Sequence, residues 1–214
     1  MVLMSQDQKI LYLRFLYYQK MFGGRYTDNI NVQSSDNTLS VPMVSLQDTI
    51  AHCALCERAK SSKPSFGIMP SKPKIVFISE LPLTDAFNRF TENRSSKMLQ
   101  DIISNVFMLD PSEYGVLSLV KCNQNQLNIS DNHAFTCKQY LNQQITSDSV
   151  RVILLMGDFV LRHLLGADFN QHKGRILSKQ SRNYLATYSL NELLKNPSLK
   201  KEAMRHFLLA KGML

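Results

Sequence analysis

Four cysteines with uneven spacing are the residues of this 214-residue chain that point most directly to chemistry. Cys53 and Cys56 form a C-x-x-C pair, whereas Cys122 and Cys137 follow much later in the chain. Four thiolates are the ligand set of a tetrahedral metal ion or of an iron–sulfur cluster. A small zinc knuckle closes its ligand set within a few dozen residues. The long gap after Cys56 therefore predicts a centre that joins distant parts of a larger domain.

Other interpretations of the cysteines remain open. Free cysteines are often small buried apolar residues, and Cys122 closely follows the apolar run 116–120. We expect no signal peptide, because Asp7, Lys9 and Arg14 interrupt the apolar residues of the first eighteen positions, and no membrane-spanning stretch is evident. This predicts a cytoplasmic protein with reduced thiols, which disfavours disulfides. A C-x-x-C redox site would leave two cysteines unexplained.

The length and hydrophobic periodicity predict an N-terminal helix and polar linker over residues 1–42, followed by one α/β domain over residues 43–214. Short, continuous apolar runs are typical of parallel strands that are buried on both faces. Four such strands are predicted, at residues 74–78, 115–120, 150–156 and 184–188. Segments with helical periodicity separate them. We therefore predict a three-layer αβα fold around a mostly parallel, four-stranded sheet.

Polar residues follow the predicted strands at the point where each strand ends. In open parallel sheets, ligands bind beyond the carboxyl ends of the strands. The residues in these positions are Ser79 and Glu80, Lys121 and Cys122, Gly157, and Ser189. We expect the cysteines and the best polar candidates to meet at this one edge of the sheet.

The order of these motifs resembles the iron–sulfur branch (family 4 and its relatives) of the uracil-DNA glycosylase superfamily. The resemblance extends from Ser45 to the C-terminus. It rests on these matches in order: Cys53 and Cys56, Phe66-Gly67, Ser79-Glu80-Leu81-Pro82, Arg89-Phe90, Lys121-Cys122, Cys137 with Tyr140-Leu141, Gly157, Thr187-Tyr188-Ser189 and Asn196-Pro197. It implies hydrolysis of the N-glycosidic bond of uracil in DNA. It also implies a structural 4Fe-4S cluster on the four cysteines.

The resemblance assigns roles to residues at the predicted sheet edge. Glu80 would orient the attacking water, Phe90 would stack on the flipped base, and Ser79 would line the substrate site. Ser118 and Ser189 stand where the family has a catalytic Asn and His, and a serine hydroxyl is shorter and carries no positive charge. Leu83 replaces a family glycine that permits close approach of the backbone.

The net charge of +8 and the pI near 9.4 suit a nucleic-acid partner, although basic composition alone is not diagnostic. Lys121, Lys173 and Arg175 are the predicted DNA contacts. Two further hypotheses stay open: a catalytically inactive iron–sulfur relative that still binds DNA, and an unrelated four-cysteine zinc protein. By resemblance, we expect a monomer and no membrane partner.

Overall fold

The computed structural model of the chain describes residues 6–21, 45–122, 128–179 and 182–214. The chain divides into two compact units, residues 1–43 and 44–214. In the smaller unit, α1 spans Gln6–Met21, so the N-terminal segment contains the helix that the sequence predicts there. The polar linker predicted to follow it, up to residue 42, lies outside the described residues.

The larger unit alternates strands with helices along most of its length. Its strands are β1 (Ile75–Ser79), β2 (Tyr114–Ser118), β3 (Val152–Met156), β4 (Ile176–Lys179) and β5 (Arg182–Thr187). Its α-helices are α2 (Leu46–Ala51), α3 (Glu57–Ser61), α4 (Arg94–Ile102), α5 (Asp131–Gln144), α6 (Asp158–Leu165), α7 (Phe169–His172), α8 (Leu190–Lys195) and α9 (Lys200–Lys211). A π-helical turn, Ile103–Phe107, extends α4, and a 3-10 turn, Pro197–Leu199, precedes α9.

The strands form one sheet in the order β2-β1-β3-β5-β4. The first four of these strands pair in parallel, with Ile78 opposite both Leu117 and Leu155. Every residue of β1 and β3 is buried, because helices cover both faces of a parallel sheet. The predicted αβα fold with a mostly parallel sheet is therefore confirmed.

The sheet has five described strands rather than the four that the sequence predicts. The additional strand, β4, pairs antiparallel with β5 and lies at the edge of the sheet. Its residues are exposed or half-buried, since an edge strand has a neighbour on one side only. It therefore lacks the continuous apolar run that marks the other strands.

Two groups of helices enclose the sheet. In one group, α5 and α6 contact each other, and α6 packs on β3 and β5. In the other, α4 contacts α8, and α9 packs on β5 and on the π-helical turn. Phe107 of that turn packs edge-on against Phe77 of β1 and Phe207 of α9, with ring centroids 5.2 and 6.1 Å apart. Among the described helices, none is long and apolar enough to cross a membrane.

The strand order places a topological switch point between β1 and β3. The chain leaves β1 towards β2 on one side, and leaves β3 towards β5 and β4 on the other. Loops that diverge in this way open a crevice beyond the carboxyl ends of the two strands. Glu80 directly follows β1 and Gly157 directly follows β3, so both lie at this crevice.

Candidate active site and cysteine cluster

A cavity of about 430 Å³ opens at the carboxyl edge of the sheet. This volume is within the range of ordinary small-molecule sites. The ends of three strands contribute to it, through Ser79 of β1, Met156 of β3 and Ser189 after β5. The other lining residues are Glu80, Leu81, Pro82, Leu83, Asn93, Arg94, Ser95, Leu190, Asn191, Leu194 and Lys195. The cavity is therefore built where the sequence predicts a site.

Glu80 is the titratable group of the cavity with the strongest perturbation. Burial, together with the negative charges of Glu192 and Asp158, raises its pKa to about 7. A carboxyl that titrates near neutral pH can exist as either acid or base under physiological conditions. This is the range in which general acid–base catalysts are most effective.

Gly157 allows two walls of the cavity to come together. Its φ of +108° is rarely adopted by residues with a side chain. A Cβ atom at this position would lie 2.5 Å from Glu80 Oε1 and 3.0 Å from Ser189 Cβ. The absence of a side chain at Gly157 thus lets the Glu80 carboxyl and Ser189 pack over the end of β3. Sequence reasoning placed Gly157 at the strand end but gave it no role.

Ser189 has a structural task in addition to lining the cavity. It is the N-cap of α8, where its Oγ accepts a hydrogen bond from Glu192 N at 3.3 Å. The Glu192 carboxylate accepts a hydrogen bond from Ser189 N at 2.7 Å, which completes a capping box. The cap uses the hydroxyl oxygen as an acceptor, so the hydroxyl proton remains for another partner.

Two predicted site residues do not line this cavity. Ser118, the last residue of β2, is 4% exposed. Phe90 is half-buried against the core and lines a neighbouring groove with Asn93, Arg94 and Lys97. The structure thus brings Ser79, Glu80 and Ser189 together, and places Phe90 and Ser118 outside the cavity wall. Ser79 is itself engaged, donating through Oγ to the Leu81 carbonyl at 2.7 Å.

Lys121, predicted to contact DNA, is internal. Its side chain is 1% exposed, and its Nζ donates to the Ser118 carbonyl at 2.7 Å and to Gln144 Oε1 at 2.5 Å. Burial lowers the pKa of this amine to about 7. A buried amine of this kind supports the end of β2 and offers no surface to a phosphate.

The two other predicted DNA contacts differ from each other. Lys173 Nζ donates to the Tyr188 hydroxyl at 2.7 Å and lies 3.5 Å from Glu202 Oε1, so its charge is largely engaged within the fold. Arg175 is exposed. The sequence pattern shows where a lysine lies along the chain. It does not show whether its ammonium group donates hydrogen bonds to acceptors within the fold.

Exposed cations that the sequence did not single out surround the cavity. Arg94 and Lys195 line it directly, and Lys97 lines the adjoining groove. Arg94 begins α4, whose N-cap Asn93 accepts a hydrogen bond from Ser96 N at 2.7 Å. The sequence Asn-Arg-Ser-Ser-Lys at the start of this helix could have indicated an anion-binding position, because helix N-termini attract anions.

All four cysteines are free, and the other three act electrostatically on Cys122. Cys53 and Cys56 are half-buried beside α3, while Cys122 and Cys137 are buried. Burial, together with the charges of Cys137, Cys56 and Cys53, raises the pKa of the Cys122 thiol to about 12. Each cysteine thiolate thus disfavours ionisation of Cys122, and a bound cation would relieve this effect.

Two contacts tie together the segments that carry the cysteines. Arg58 is 2% exposed and donates through Nε and Nη2 to the Cys122 carbonyl, each at 3.3 Å, and through Nη1 to the Asn128 carbonyl at 2.8 Å. Glu57 Oε1 lies 2.6 Å from His133 Nε2 on α5, the helix that carries Cys137. The residues directly after Cys56 thus join both of the other cysteine segments.

The donor set of the four cysteines limits which metal centres they could hold. In the part of the chain that the structure describes, no three His, Cys, Asp or Glu side chains are arranged to hold a metal ion. Four cysteine thiolates are the donor set that both a structural zinc ion and an iron–sulfur cluster use.

Comparison with known protein families gives one match. A family model described as the uracil DNA glycosylase superfamily matches residues 66–211. The matched span includes every residue that lines the cavity, together with Cys122 and Cys137, and it begins after Cys53 and Cys56. No curated protein matches the chain.

Proposed function

The chain belongs to the uracil DNA glycosylase superfamily, and we propose that it hydrolyses the N-glycosidic bond of uracil in DNA. The observation that carries this proposal is the cavity at the switch point, with Glu80 at its wall and a pKa near 7. A uracil nucleotide rotated out of the DNA stack could place its base in this cavity.

In the proposed reaction, ionised Glu80 accepts a hydrogen bond from a water molecule and directs it towards C1′ of the deoxyribose. The bond from C1′ to N1 of uracil breaks, and its electron pair leaves with the base. The water oxygen bonds to C1′ and gives its proton to the Glu80 carboxylate. The negative Glu80 carboxylate also stabilises the positive charge that develops on the sugar. The Ser189 hydroxyl is available to donate to the uracil anion, and such a donor lowers the barrier by a few kcal/mol.

The same geometry predicts slow catalysis. A serine at position 189 cannot supply the positive charge that a protonated histidine would bring to the leaving base. Ser118, in the position of the family Asn, is buried outside the cavity. We therefore expect weak excision of uracil, or excision of a related base.

A uracil-containing single-stranded oligonucleotide, treated with alkali after incubation, tests this proposal. We expect cleavage by the native protein and loss of most cleavage in Glu80→Gln, because the amide cannot accept a proton from water. Glu113→Gln is the matched control. Glu113 precedes β2, at the amino ends of the strands and away from the cavity, and it pairs with Lys74. The rate should rise as the pH passes through about 7. Full activity of Glu80→Gln would reject the role of Glu80.

A second candidate function is that of a non-catalytic DNA-binding relative. The positions of Phe90 and Ser118 outside the cavity favour it, because both stand in family positions that contact the substrate. This alternative predicts no cleavage at stoichiometric protein, together with salt-dependent binding to DNA that lacks uracil.

We further propose that the protein belongs to the iron–sulfur branch and that Cys53, Cys56, Cys122 and Cys137 hold a 4Fe-4S cluster. The all-cysteine donor set supports this proposal, as do the contacts of Arg58 and Glu57 that join the three cysteine-bearing segments. When bound, the cluster would cross-link the C-x-x-C loop, the end of β2 and α5, and it would have no part in breaking the glycosidic bond. Such a centre suits a reducing compartment such as the cytoplasm.

Anaerobic purification tests the cluster directly. We expect a brown protein with broad visible absorption and with about four irons and four sulfides per chain. The Cys122→Ala variant should lose both colour and iron. A colourless native protein that holds one zinc ion per chain would reject the cluster and leave the glycosylase proposal to be judged by its own assay.

A further inference from the structure

Residues 84–91 form a closed turn beside the cavity. An antiparallel bridge joins Thr84 to Phe90 at its base. One residue further out, Asp85 N donates to the Arg89 carbonyl at 2.7 Å. Thr91 closes the turn on its other side, because both its N and its Oγ1 donate to the Leu83 carbonyl, at 3.0 and 3.1 Å.

The tip of the turn is fixed by one carboxylate. Asp85 Oδ1 accepts hydrogen bonds from Phe87 N and Arg89 N, both at 2.9 Å. Asn88 adopts the left-handed conformation at φ +60°, which Asn tolerates better than most residues, and its N donates to the Asp85 carbonyl at 3.1 Å. A tip held in this way loses little conformational entropy when it binds a partner.

This tip presents an aromatic ring and a cation to solvent. Phe87 is 76% exposed, and the Arg89 guanidinium lies 5.3 Å from the centroid of its ring. Arg89 is oriented by Asp85 Oδ2, which accepts from its Nε at 3.2 Å and from its Nη2 at 3.0 Å. A single exposed Phe needs no explanation by itself. Here, however, a rigid turn holds the exposed Phe beside an oriented Arg, and this combination is typical of a binding surface.

The position of the turn relates it to the cavity. Leu81, Pro82 and Leu83, which lead into the turn, line the cavity, and so do Asn93, Arg94 and Ser95, which follow it. The turn therefore projects from the rim between two walls of the cavity. A strand of DNA that follows this rim would place the bases next to the nucleotide in the cavity within reach of the turn.

We propose that Phe87 stacks on an unpaired DNA base that neighbours the nucleotide held in the cavity, while Arg89 contacts the adjacent phosphate. This inference rests on the proposed function, because it needs DNA at the cavity. Rotating one nucleotide out of the stack exposes the face of its neighbour. An aromatic side chain that covers this face offsets the lost base stacking without reading the sequence.

The chain contains no tryptophan, so Phe87→Trp would introduce a single fluorescent reporter. We expect a single-stranded oligonucleotide without uracil to quench this fluorescence. Quenching should occur over the same concentration range in which fluorescence anisotropy shows that the native protein binds the oligonucleotide. The matched control is Phe135→Trp, because Phe135 is 80% exposed but lies on α5. Its fluorescence should change little.

A second pair of variants measures affinity. Phe87→Ala should weaken binding of the oligonucleotide by roughly tenfold, since loss of a stacked aromatic has about this effect. Phe135→Ala should bind like the native protein.

The outcomes separate this inference from the proposed function. Binding by the native protein without quenching of Phe87→Trp, or with equal effects of the two Ala variants, overturns the stacking role and leaves the excision result untouched. Failure of the native protein to bind any DNA overturns both proposals.

Discussion

At the scale of the residue, the cavity depends on Gly157 as much as on Glu80, because a glycine leaves room for the Glu80 carboxyl. Gly157→Ala should destabilise the protein by about 1–3 kcal/mol from backbone strain alone. It should also abolish activity, because the new Cβ would lie 2.5 Å from Glu80 Oε1. Denaturant unfolding and the excision assay measure the two effects.

Gly166 provides the control for that substitution. It also has a positive φ, of +71°, but no atom lies within 4 Å of the position that a Cβ would take. Gly166→Ala should therefore lose only about 1 kcal/mol and keep its activity. If both variants were equally inactive, backbone strain rather than crowding at Glu80 would explain the result.

The raised pKa of Glu80 also makes a prediction about stability. A carboxyl whose pKa is higher in the folded chain than in the unfolded chain stabilises the fold as the neutral acid. This contribution is complete below the ordinary value of 4.5 and is lost as the pH rises to about 7. Glu80→Gln should therefore be more stable than the native protein at about pH 8, by on the order of 1–2 kcal/mol after allowance for partial exposure.

Urea unfolding at several pH values checks this effect, and the advantage of Glu80→Gln should vanish near pH 4.5. Glu113→Gln should show the opposite sign. A hydrogen bond from the Lys74 ammonium lowers the pKa of Glu113, so this carboxylate stabilises the fold at high pH and loses that effect in acid. A stability difference for Glu80→Gln that did not change with pH would show that Glu80 titrates normally.

How far the sequence predicts the site depends on the residue. Strand periodicity and chain order located Glu80 and Ser189 at one edge, where the structure has them in one cavity. The burial of Lys121 was not predictable, because it depends on the Gln144 side chain, 23 residues away in the chain. Motif position also failed to show that Phe90 faces a neighbouring groove, since the intervening turn sets its direction.

At the scale of the element, the same reasoning explains which strands could be found. The four parallel strands are continuous apolar runs, because sheet neighbours and helices surround them. The edge strand β4 has the half-polar sequence ILSK. It is defined by its pairing with β5, which the local apolar pattern does not reveal. The π-helical turn after α4 is likewise not distinguishable from an ordinary helix in the sequence, because its extra residue does not interrupt the apolar pattern.

The contacts that follow Cys56 make a prediction about the cysteine-bearing elements. Arg58→Gln would remove the guanidinium that joins α3 to the Cys122 carbonyl and to Asn128. We expect the variant to lose its visible absorption several times faster than the native protein in the presence of an iron chelator. The reason is that the C-x-x-C loop would no longer be tied to the end of β2.

Arg162→Gln is the matched control for that experiment. Its guanidinium is half-exposed and lies 3.9 Å from Asp131, in an ion pair of the kind that contributes little to stability. Unfolding of both variants prepared without iron separates faster cluster loss from general instability. Equal rates of iron loss from Arg58→Gln and Arg162→Gln would contradict the positioning role of Arg58.

At the scale of the whole molecule, charge and fold have separate consequences. The family match establishes the scaffold, and the net charge of +8 favours a polyanionic partner without saying where it binds. The location we propose for this partner is the cavity, because Arg94 and Lys195 line it. Among the predicted DNA contacts, by contrast, Lys121 is buried and Lys173 is engaged with Tyr188.

This location can be tested through the salt dependence of DNA binding. Each phosphate contact that is lost lowers the slope of log affinity against log salt by about 1. The double variant Arg94→Gln/Lys195→Gln should therefore lower the slope by about 2. The charge-matched control Lys72→Gln/Arg151→Gln changes exposed cations before β1 and β3, at the opposite edge of the sheet, and should leave the slope unchanged. Equal slopes for the two double variants would mean that DNA responds to the total charge of the protein and not to the rim of the cavity.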